Sequence, residues 1–194
     1  MARVQAVVRH LPSTETLSVV TVIATDKTGT LTENSMTVRK IVLGDGQEID
    51  VTGQGWNPIG EFTTQGRSMV PLDHPLLSRL LHLAFFGSSA QLERTDQGFD
   101  VVGDPTEAAL TVLAEKAGLG NALLTTEVQL LDELAFERSR KYRVRYISGA
   151  TEHTAVVVGA FEEIVKLSGT TLTGDGAQVP LDSAKRDALQ SRGE

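Results

Sequence analysis

The sequence contains no cysteine, few aromatic residues and no long apolar run. The absence of cysteine among 194 residues excludes disulfides and thiolate metal sites. A net charge of −7 argues against a nucleic-acid partner, because such partners favour a basic surface. The 4 histidines show no metal-ligand spacing. No apolar run approaches the roughly 20 residues that span a bilayer, so we expect a soluble chain that does not insert into a membrane.

The residues that are present suffice for a folded core. With 40% hydrophobic and 22% charged residues, the chain is able to bury one core or two small ones. Strand and helix patterns alternate irregularly, without the βαβ rhythm of a parallel sheet. The sequence therefore predicts an α+β fold with a mainly antiparallel sheet flanked by helices.

Turn residues and periodicity place most of the elements. Gly44, Asp45 and Gly46 predict a hairpin turn between two strands, and leucine spacing predicts a helix from Pro75. The other expected elements are a partly helical start over residues 1–17, a helix at 75–86, a loop leading from residue 130 into a strand, a neighbouring strand over 153–160, a helix over 161–167, a hairpin around residue 175 and a helical end from residue 183.

The segment "GDPTEAALTVLAEKAGL" predicts a well-delimited helix. Asp104 is a candidate N-cap, Pro105 suits the first turn, and Glu107 has the spacing of a capping box. Gly118 suits the end of the helix. Capping alone therefore explains Asp104 and Glu107 without any ligand.

The stretch "VVTVIATDKTGTLT" combines a β-branched run with an acid and small hydroxyl residues. Val19–Thr25 has the apolar pattern of a buried strand, which would deliver Asp26 to a sheet edge, where the sites of α/β proteins lie. Gly29 permits a sharp turn, the threonines offer hydroxyls and Lys27 adds positive charge. Such a set suits phosphoryl transfer with Asp26 as the nucleophile. The alternative is a strand that ends in a solvated turn.

"DKTGTLT" resembles the phosphorylation signature of the P-type cation-transporting ATPases. The resemblance implies that Asp26 accepts the γ-phosphate of ATP and that Lys27 neutralises charge. It also implies that the Thr28 carbonyl and Asp26 contact Mg²⁺ and that Thr30 contacts the phosphate. The related haloacid-dehalogenase-like phosphatases usually carry an acid where Thr28 stands. Because threonine cannot act as the general acid and base of rapid phosphoenzyme hydrolysis, the sequence favours a pump over a phosphatase.

Two further segments resemble the nucleotide-binding domain of the same family. By that resemblance Thr106 and Glu107 lie in the adenine pocket. In "FERSRKYRVRYI", Phe136 would stack on adenine, and Arg138 and Lys141 would reach the phosphates. An aromatic face beside cations suits a nucleotide on physical grounds as well. Taken without the other motifs, this segment favours the alternative of a strand that carries a core phenylalanine and a solvated basic face.

A third segment, "VVVGAFEEI", departs from the family pattern. The family carries Lys-Gly-Ala-Pro-Glu there, with the lysine lining the adenine pocket and the Gly-Ala pair beside it. Gly159 and Ala160 match, whereas Val158 replaces the lysine and Phe161 replaces the proline. A charge-assisted hydrogen bond contributes roughly 1.5–3 kcal/mol, so losing one predicts about 10- to 100-fold weaker ATP binding, or a rearranged pocket.

The resemblance also predicts how the chain is divided. Residues 1–34 would form an approach segment and a stub of the Rossmann-like phosphorylation domain. Residues 35–180 would form the nucleotide-binding domain, and residues 181–194 would begin the return to the phosphorylation domain. The transmembrane helices, the Thr-Gly-Glu actuator motif and the later Gly-Asp-Gly-x-Asn-Asp motif of the family do not occur.

These patterns together predict the cytoplasmic ATP-binding portion of a type II cation pump, with ATP and Mg²⁺ as cofactors. Calcium is the favoured ion, because "GDPTEAAL" and "GQGWNPIGEF" resemble calcium pumps. The remaining pump domains would be its partners, and domain closure would carry the γ-phosphate to Asp26. The piece alone would not turn over. Two alternatives stay open: a non-catalytic module that has lost ATP binding, and a phosphatase fragment.

Overall fold

The computed structural model describes residues 19–32, 34–96, 98–120, 128–149 and 152–190. The chain forms two compact units, Met1–Asn34 and Ser35–Glu194. The expected helical start over residues 1–17 lies outside the described residues. No helix in the described ranges is long and apolar enough to cross a membrane.

The second unit begins with a four-stranded antiparallel sheet. Its strands, in the order β1-β2-β3-β4, are Lys40–Val42, Glu48–Val51, Phe62–Thr64 and Arg67–Met69. The expected hairpin is confirmed, because the Gly46 amide donates to the Leu43 carbonyl at 2.8 Å between β1 and β2. Alternate side chains of these strands point inward, as expected for a sheet with one covered face.

Two helices cover the inner face of this first sheet. Helix α1 spans Pro75–Gly87 and helix α2 spans Pro105–Lys116, and the two helices pack against each other. A short 3-10 turn, Pro71–Asp73, precedes α1. The shared core contains buried aliphatic and aromatic residues from both layers: Ile41, Leu43, Ile49, Val51, Phe62, Leu76, Leu77, Leu81, Leu113, Ala114 and Leu119. The helix predicted from Pro75 is therefore confirmed.

Strands β5, Gln91–Thr95, and β6, Gly98–Val102, form an antiparallel hairpin between the two helices. The following helix starts as its sequence predicts. Asp104 accepts hydrogen bonds from the Thr106 and Glu107 amides, at 2.8 and 3.3 Å. The helix ends before Gly118, whose φ of 87° is left-handed.

A three-stranded antiparallel sheet packs on the other side of α1. It consists of β7 (Gln129–Glu137), β8 (Tyr142–Ser148) and β9 (His153–Gly159), in that order. The loop expected from residue 130 onward is wrong, because β7 pairs with β8 along nearly its whole length. Every residue of β7 is solvent-exposed, so the strand lacks the alternating pattern by which strands are recognised.

The chain ends in elements that match their sequence signals. Helix α3 is Phe161–Leu167, and strands β10 (Thr170–Leu172) and β11 (Gln178–Pro180) form the expected hairpin. Helix α4 is Ser183–Gln190 and packs against α3. The described residues therefore form an α+β fold in which every strand pairing is antiparallel.

The strand expected at Val19–Thr25 is wrong. No strand is assigned in the described part of the first unit, residues 19–32 and 34. The side chains of Val19, Val22 and Ile23 are 74%, 79% and 86% exposed. A buried strand requires neighbours that satisfy its backbone and cover its side chains, and among the described residues this segment pairs with none. The Rossmann-like stub accordingly stays a prediction.

Candidate functional site

The Asp26 segment forms a single irregular turn. Lys27–Leu31 is closed by the Thr32 amide, which donates to the Lys27 carbonyl at 3.1 Å. Gly29 has a φ of 76°, which confirms the sharp turn expected there. Thr32 Oγ1 also donates to the Lys27 carbonyl, at 3.2 Å. The loop leaves Asp26, Lys27, Thr28 and Thr30 exposed to solvent, with the Asp26 carboxylate at its start.

In the second unit, a cross-strand row brings several predicted residues together. The register of β7 on β8 shifts between Leu134 and Glu137, so the Ala135–Phe136 pair forms a bulge opposite Arg143. On the other side of β8, Arg143 pairs directly with Val158 of β9. The row therefore runs from Phe136 through Arg143 to Val158.

Glu107 joins this row from helix α2. Its Oε2 atom accepts hydrogen bonds from the Ser89 amide and from Ser89 Oγ, each at 2.8 Å. The same oxygen forms an ion pair with Arg143 Nη1, which also donates to Ser89 Oγ at 3.0 Å. The capping box expected at Glu107 is wrong, because the carboxylate turns away from the start of its own helix toward β8.

Two more charged residues complete the cluster. Glu133 Oε2 of β7 lies 2.9 Å from Arg143 Nη2 and 3.3 Å from Arg145 Nε. Arg145 Nη1 donates to the Phe86 carbonyl at 3.0 Å and also to the Ser88 carbonyl. Burial lowers the pKa of Arg145, and Glu133 partly offsets this effect. We call Glu107, Glu133, Arg143 and Arg145 the charge quartet; its formal charges cancel.

The end of the β8–β9 ladder gathers the next group of predicted residues. Lys141 lies in the turn between β7 and β8 with a φ of 59°, and its carbonyl accepts the Ala160 amide at 2.9 Å. A Cβ on Gly159 would lie 2.4 Å from the Lys141 carbonyl oxygen and 2.4 Å from the Tyr142 Cβ. The Gly-Ala pair thus allows a close approach of two backbones. Lys141 Nζ is 3.3 Å from Glu162 Oε1 at the start of α3.

The remaining predicted residues lie at the surface. Phe136 is 56% exposed, and the Arg138 side chain is exposed in the same turn as Lys141. Thr106 is exposed at the first turn of α2, where its Oγ1 donates to the Met36 sulfur at 3.4 Å. The alternative that placed Phe136 in a core is therefore wrong, and the ring is exposed in a segment that also carries Arg138 and Lys141.

Two concavities adjoin the cluster. A cavity of about 190 Å³ lies beside Ser88, Ser89 and Arg145. An apolar groove of about 670 Å³ runs along Val158 and Gly159 toward Phe161 and helix α1. Phe136, Glu107 and Lys141 line neither of them. Phe136, Arg138 and Lys141 lie instead on exposed surface at the β7–β8 turn, whereas the Glu107 side chain is 15% exposed.

This surface fits a nucleotide in its chemistry. Glu107 supplies an acceptor, Phe136 an exposed ring, and Arg138 and Lys141 positive charge. The segment around Asp26 fits Mg²⁺ less well. Within the described ranges no group of three or more acidic or histidine residues lies close enough to hold a metal ion. The residues described here do not by themselves form a magnesium site.

Four residues of this cluster were not predicted from the sequence: Ser89, Glu133, Arg143 and Arg145. One signal was available for Arg143. In "YRVRY" the two arginines alternate with apolar residues, a period of two that places both on one face of a strand. The identity of their partners had no local signal, because Glu107 precedes Arg143 by 36 positions in the sequence.

The fold and the cluster define an antiparallel α+β domain with an acidic and basic surface at its strand ends. A family model described as P-type ATPase, cytoplasmic domain N, matches residues 76–194. That range covers more than half of the chain. The chain therefore belongs to the P-type ATPase family.

Relatives in several organisms are similar over nearly the whole chain. The "Probable cation-transporting ATPase F" of Mycobacterium bovis is 39% identical over 100% of this chain and 22% of its own length. "Cation-transporting ATPase pma1" of Synechocystis sp. is 38% identical over 94% of the chain and 20% of its own. "Calcium-transporting ATPase type 2C member 1" of Bos taurus is 33% identical over 98% and 20%. The chain thus spans about a fifth of the length of these relatives.

Proposed function

We propose that this chain is the ATP-binding portion of an ATP-driven cation pump that forms an aspartyl phosphate on Asp26. The observation that carries the ATP-binding proposal is the convergence of predicted nucleotide residues from four separate segments. Glu107 comes from α2, Phe136 from the bulge of β7, Lys141 from the β7–β8 turn, and Gly159 from the end of β9. Strand β8 links three of these segments, because Arg143 forms an ion pair with Glu107, lies opposite the bulge that contains Phe136 and pairs with Val158, the neighbour of Gly159.

Each residue has a role in binding ATP. Phe136 would stack on the adenine ring, an interaction that its 56% exposure permits. Glu107 would accept from the exocyclic amino group, and Thr106 lies beside it at the helix start. Arg138 and Lys141 would attract the phosphates. The backbone at Gly159 and Ala160 would close one side of the site.

Asp26 is proposed as the nucleophile of phosphoryl transfer. A carboxylate oxygen of Asp26 would form a bond to the γ-phosphorus while the bond from that phosphorus to the β–γ bridging oxygen breaks, and ADP leaves. Lys27 and Thr30 would contact the transferred phosphate. Mg²⁺ supplies charge neutralisation to such a step. Because Asp26 and the Thr28 carbonyl do not form a complete magnesium site, we propose that this chain alone does not turn over.

We further propose Ca²⁺ as the transported ion. The support is the resemblance of "GDPTEAAL" and "GQGWNPIGEF" to calcium pumps, together with a 33% identical relative named as a calcium-transporting ATPase. The cation-transporting relatives with higher identity carry no ion in their names. Uptake of radioactive Ca²⁺ into vesicles containing the whole pump tests this proposal, with Mn²⁺ and Na⁺ as competitors.

An ATP titration without Mg²⁺, followed by backbone amide NMR, tests the nucleotide site. We expect saturable shifts centred on Glu107, Phe136 and Lys141 at millimolar ATP. Phe136→Ala should weaken binding about tenfold, since loss of base stacking costs about 1–3 kcal/mol. Phe99→Ala in the β5–β6 hairpin is the matched control and should leave the affinity unchanged.

The outcomes separate this proposal from its rivals. A non-catalytic module would give no amide shifts at millimolar ATP. A phosphatase fragment would release phosphate from an aryl phosphate, which a pump domain would not. Phosphate found on Asp26 by mass spectrometry, after incubation of this chain with ATP and Mg²⁺, would contradict the proposal that the chain alone is inactive.

A further inference from the structure

We propose that Arg143 is the positioning residue of the nucleotide site and that it compensates for the lysine absent at Val158. Arg143 would hold the Glu107 carboxylate in the orientation in which its second oxygen accepts from adenine. This inference rests on the proposed ATP site and adds a residue that the sequence motifs do not contain.

The strand register places the two positions side by side. Arg143 on β8 and Val158 on β9 are directly paired, so their side chains leave the sheet on the same face. Val158 itself packs on helix α1, where a Cβ on Gly87 would lie 2.5 Å from Val158 Cγ2. The β9 position is therefore occupied by apolar packing. Its cross-strand partner, Arg143, carries a guanidinium on the same face of the sheet.

The contacts of Glu107 are confined to one of its two oxygens. Ser89 N, Ser89 Oγ and Arg143 Nη1 all approach Oε2. Within the part of the chain that the structure describes, no donor approaches Oε1. Because three donors fix one oxygen, the carboxylate plane and the direction of the other oxygen are fixed with it. A partly exposed acceptor of fixed direction remains.

The burial of Arg143 limits which groups its guanidinium contacts. The Arg143 side chain is 5% exposed, and that of Glu107 is 15% exposed. A guanidinium this deep does not contact the phosphates of a ligand on the surface, so its effect on a nucleotide passes through Glu107. Removal of the Arg143 guanidinium would leave the carboxylates of Glu107 and Glu133 without their shared cation. Because a buried carboxylate without a compensating charge is unfavourable, Glu107 would then turn toward water.

The Oε1 atom of Glu107 then determines which nucleobase the site prefers. Adenine presents an amino donor at the position where guanine presents a carbonyl acceptor. A carboxylate oxygen that points in a fixed direction accepts a hydrogen bond from the adenine amino group and repels the guanine carbonyl oxygen. A mobile carboxylate discriminates less between them. Arg143 is thus predicted to set the preference for ATP over GTP as well as the affinity for ATP.

The test uses this chain and titrations with ATP and GTP, read by amide shifts. For Arg143→Met we expect about tenfold weaker ATP binding and a smaller ATP-to-GTP ratio. Arg143→Lys should recover part of the ATP affinity and part of the ATP-to-GTP ratio. Val158→Lys combined with Arg143→Met should recover the ATP affinity. Arg67→Met, on the exposed strand β4, removes the same charge outside the quartet and should change neither quantity.

Further measurements distinguish a loss of folding from a loss of Glu107 positioning. Urea unfolding gives the folded fraction of each variant. Should Arg143→Met fail to fold, Glu133→Gln combined with Arg143→Met keeps the quartet neutral and takes its place. An unchanged ATP-to-GTP ratio in a folded variant overturns the inference while the proposed ATP site stands. Absence of ATP binding by the parent chain overturns the proposed site itself, and the inference with it.

Discussion

Gly159 shows how one residue without a side chain determines the geometry of the strand ends. A Cβ at this position would contact the Lys141 carbonyl oxygen and Tyr142, each at 2.4 Å. Both neighbours belong to the adjacent strand and turn, and the Lys141 carbonyl is fixed by its hydrogen bond from Ala160. The glycine is therefore required by close approach of the backbones, independently of any ligand.

Replacing this glycine should destabilise the fold. Gly159→Ala forces the β8–β9 ends apart, and overpacking of this kind costs about 1–3 kcal/mol of unfolding free energy. Urea unfolding measures it. Gly169→Ala is the matched control, because a Cβ at Gly169 meets no atom within 4 Å. An equal loss of stability in both variants would contradict the steric explanation.

Glu162 provides a prediction about protonation. Its own backbone amide, and secondly Lys141, lower the pKa of this carboxyl below its ordinary value of 4.5. A lowered pKa in the folded state means that charged Glu162 contributes stability above the unfolded-state pKa. That contribution is lost as the pH falls from about 4.5 through the folded-state value.

Lys141→Met should raise the pKa of Glu162 without returning it fully to the ordinary value, because the backbone hydrogen bond remains. A side-chain carbon NMR titration measures this shift. Lys40→Met removes a lysine that pairs with Glu48 in the first sheet and should leave the Glu162 titration unchanged. A Glu162 pKa that does not respond to Lys141→Met would show that the 3.3 Å pair does not persist in solution.

At the scale of elements, helix α2 depends on a single cap. The Asp104 carboxylate accepts from the Thr106 and Glu107 amides, which have no partner inside the helix. Asp104→Ala should cost about 1 kcal/mol of unfolding free energy. Asp104→Asn, which retains an acceptor oxygen, should cost much less. Chemical denaturation of the two variants measures the difference, and equal losses would argue against capping.

Elements with local signals were predictable from the sequence. The Gly44–Gly46 hairpin, the start of α2 at Asp104 and the helix Phe161–Leu167 follow from turn, cap and periodicity rules. Strand β7 had no such signal, since all of its residues are exposed. The strand expected at Val19–Thr25 fails for the opposite reason. Its local pattern is strong, yet a strand requires neighbours, which no local pattern guarantees.

The residues of the candidate site also differ in whether the sequence indicated them. Motifs indicated Glu107, Phe136, Lys141 and Gly159, whose roles stay proposals. Motifs did not indicate how these residues are held together, because Glu107 and Arg143 come from separate elements and form their ion pair only in the folded domain. Pairing across elements depends on tertiary structure, and the sequence alone left the Val158 position without an explanation.

At the scale of the whole molecule, the buried hydrophobic residues that the structure describes all belong to the second unit. Every buried hydrophobic residue in the described ranges lies at Ile41 or beyond, and residues 19–32 contribute none. A chain of residues 35–194 should therefore unfold at the same urea concentration as the full chain and bind ATP with the same affinity. A large drop in the unfolding midpoint would show that residues 1–34 contribute to the stability of the second unit.

The charge quartet limits which substitutions this sequence tolerates. Because two carboxylates and two guanidiniums neutralise one another while largely buried, the loss of any one member leaves an uncompensated charge. A substitution at Glu133 or Arg145 is then tolerated only together with a change of opposite sign. Among relatives, we expect arginine at the position of Arg143 and lysine at the position of Val158 to be mutually exclusive. An alignment of homologous pumps would display this as covariation between two neighbouring strands.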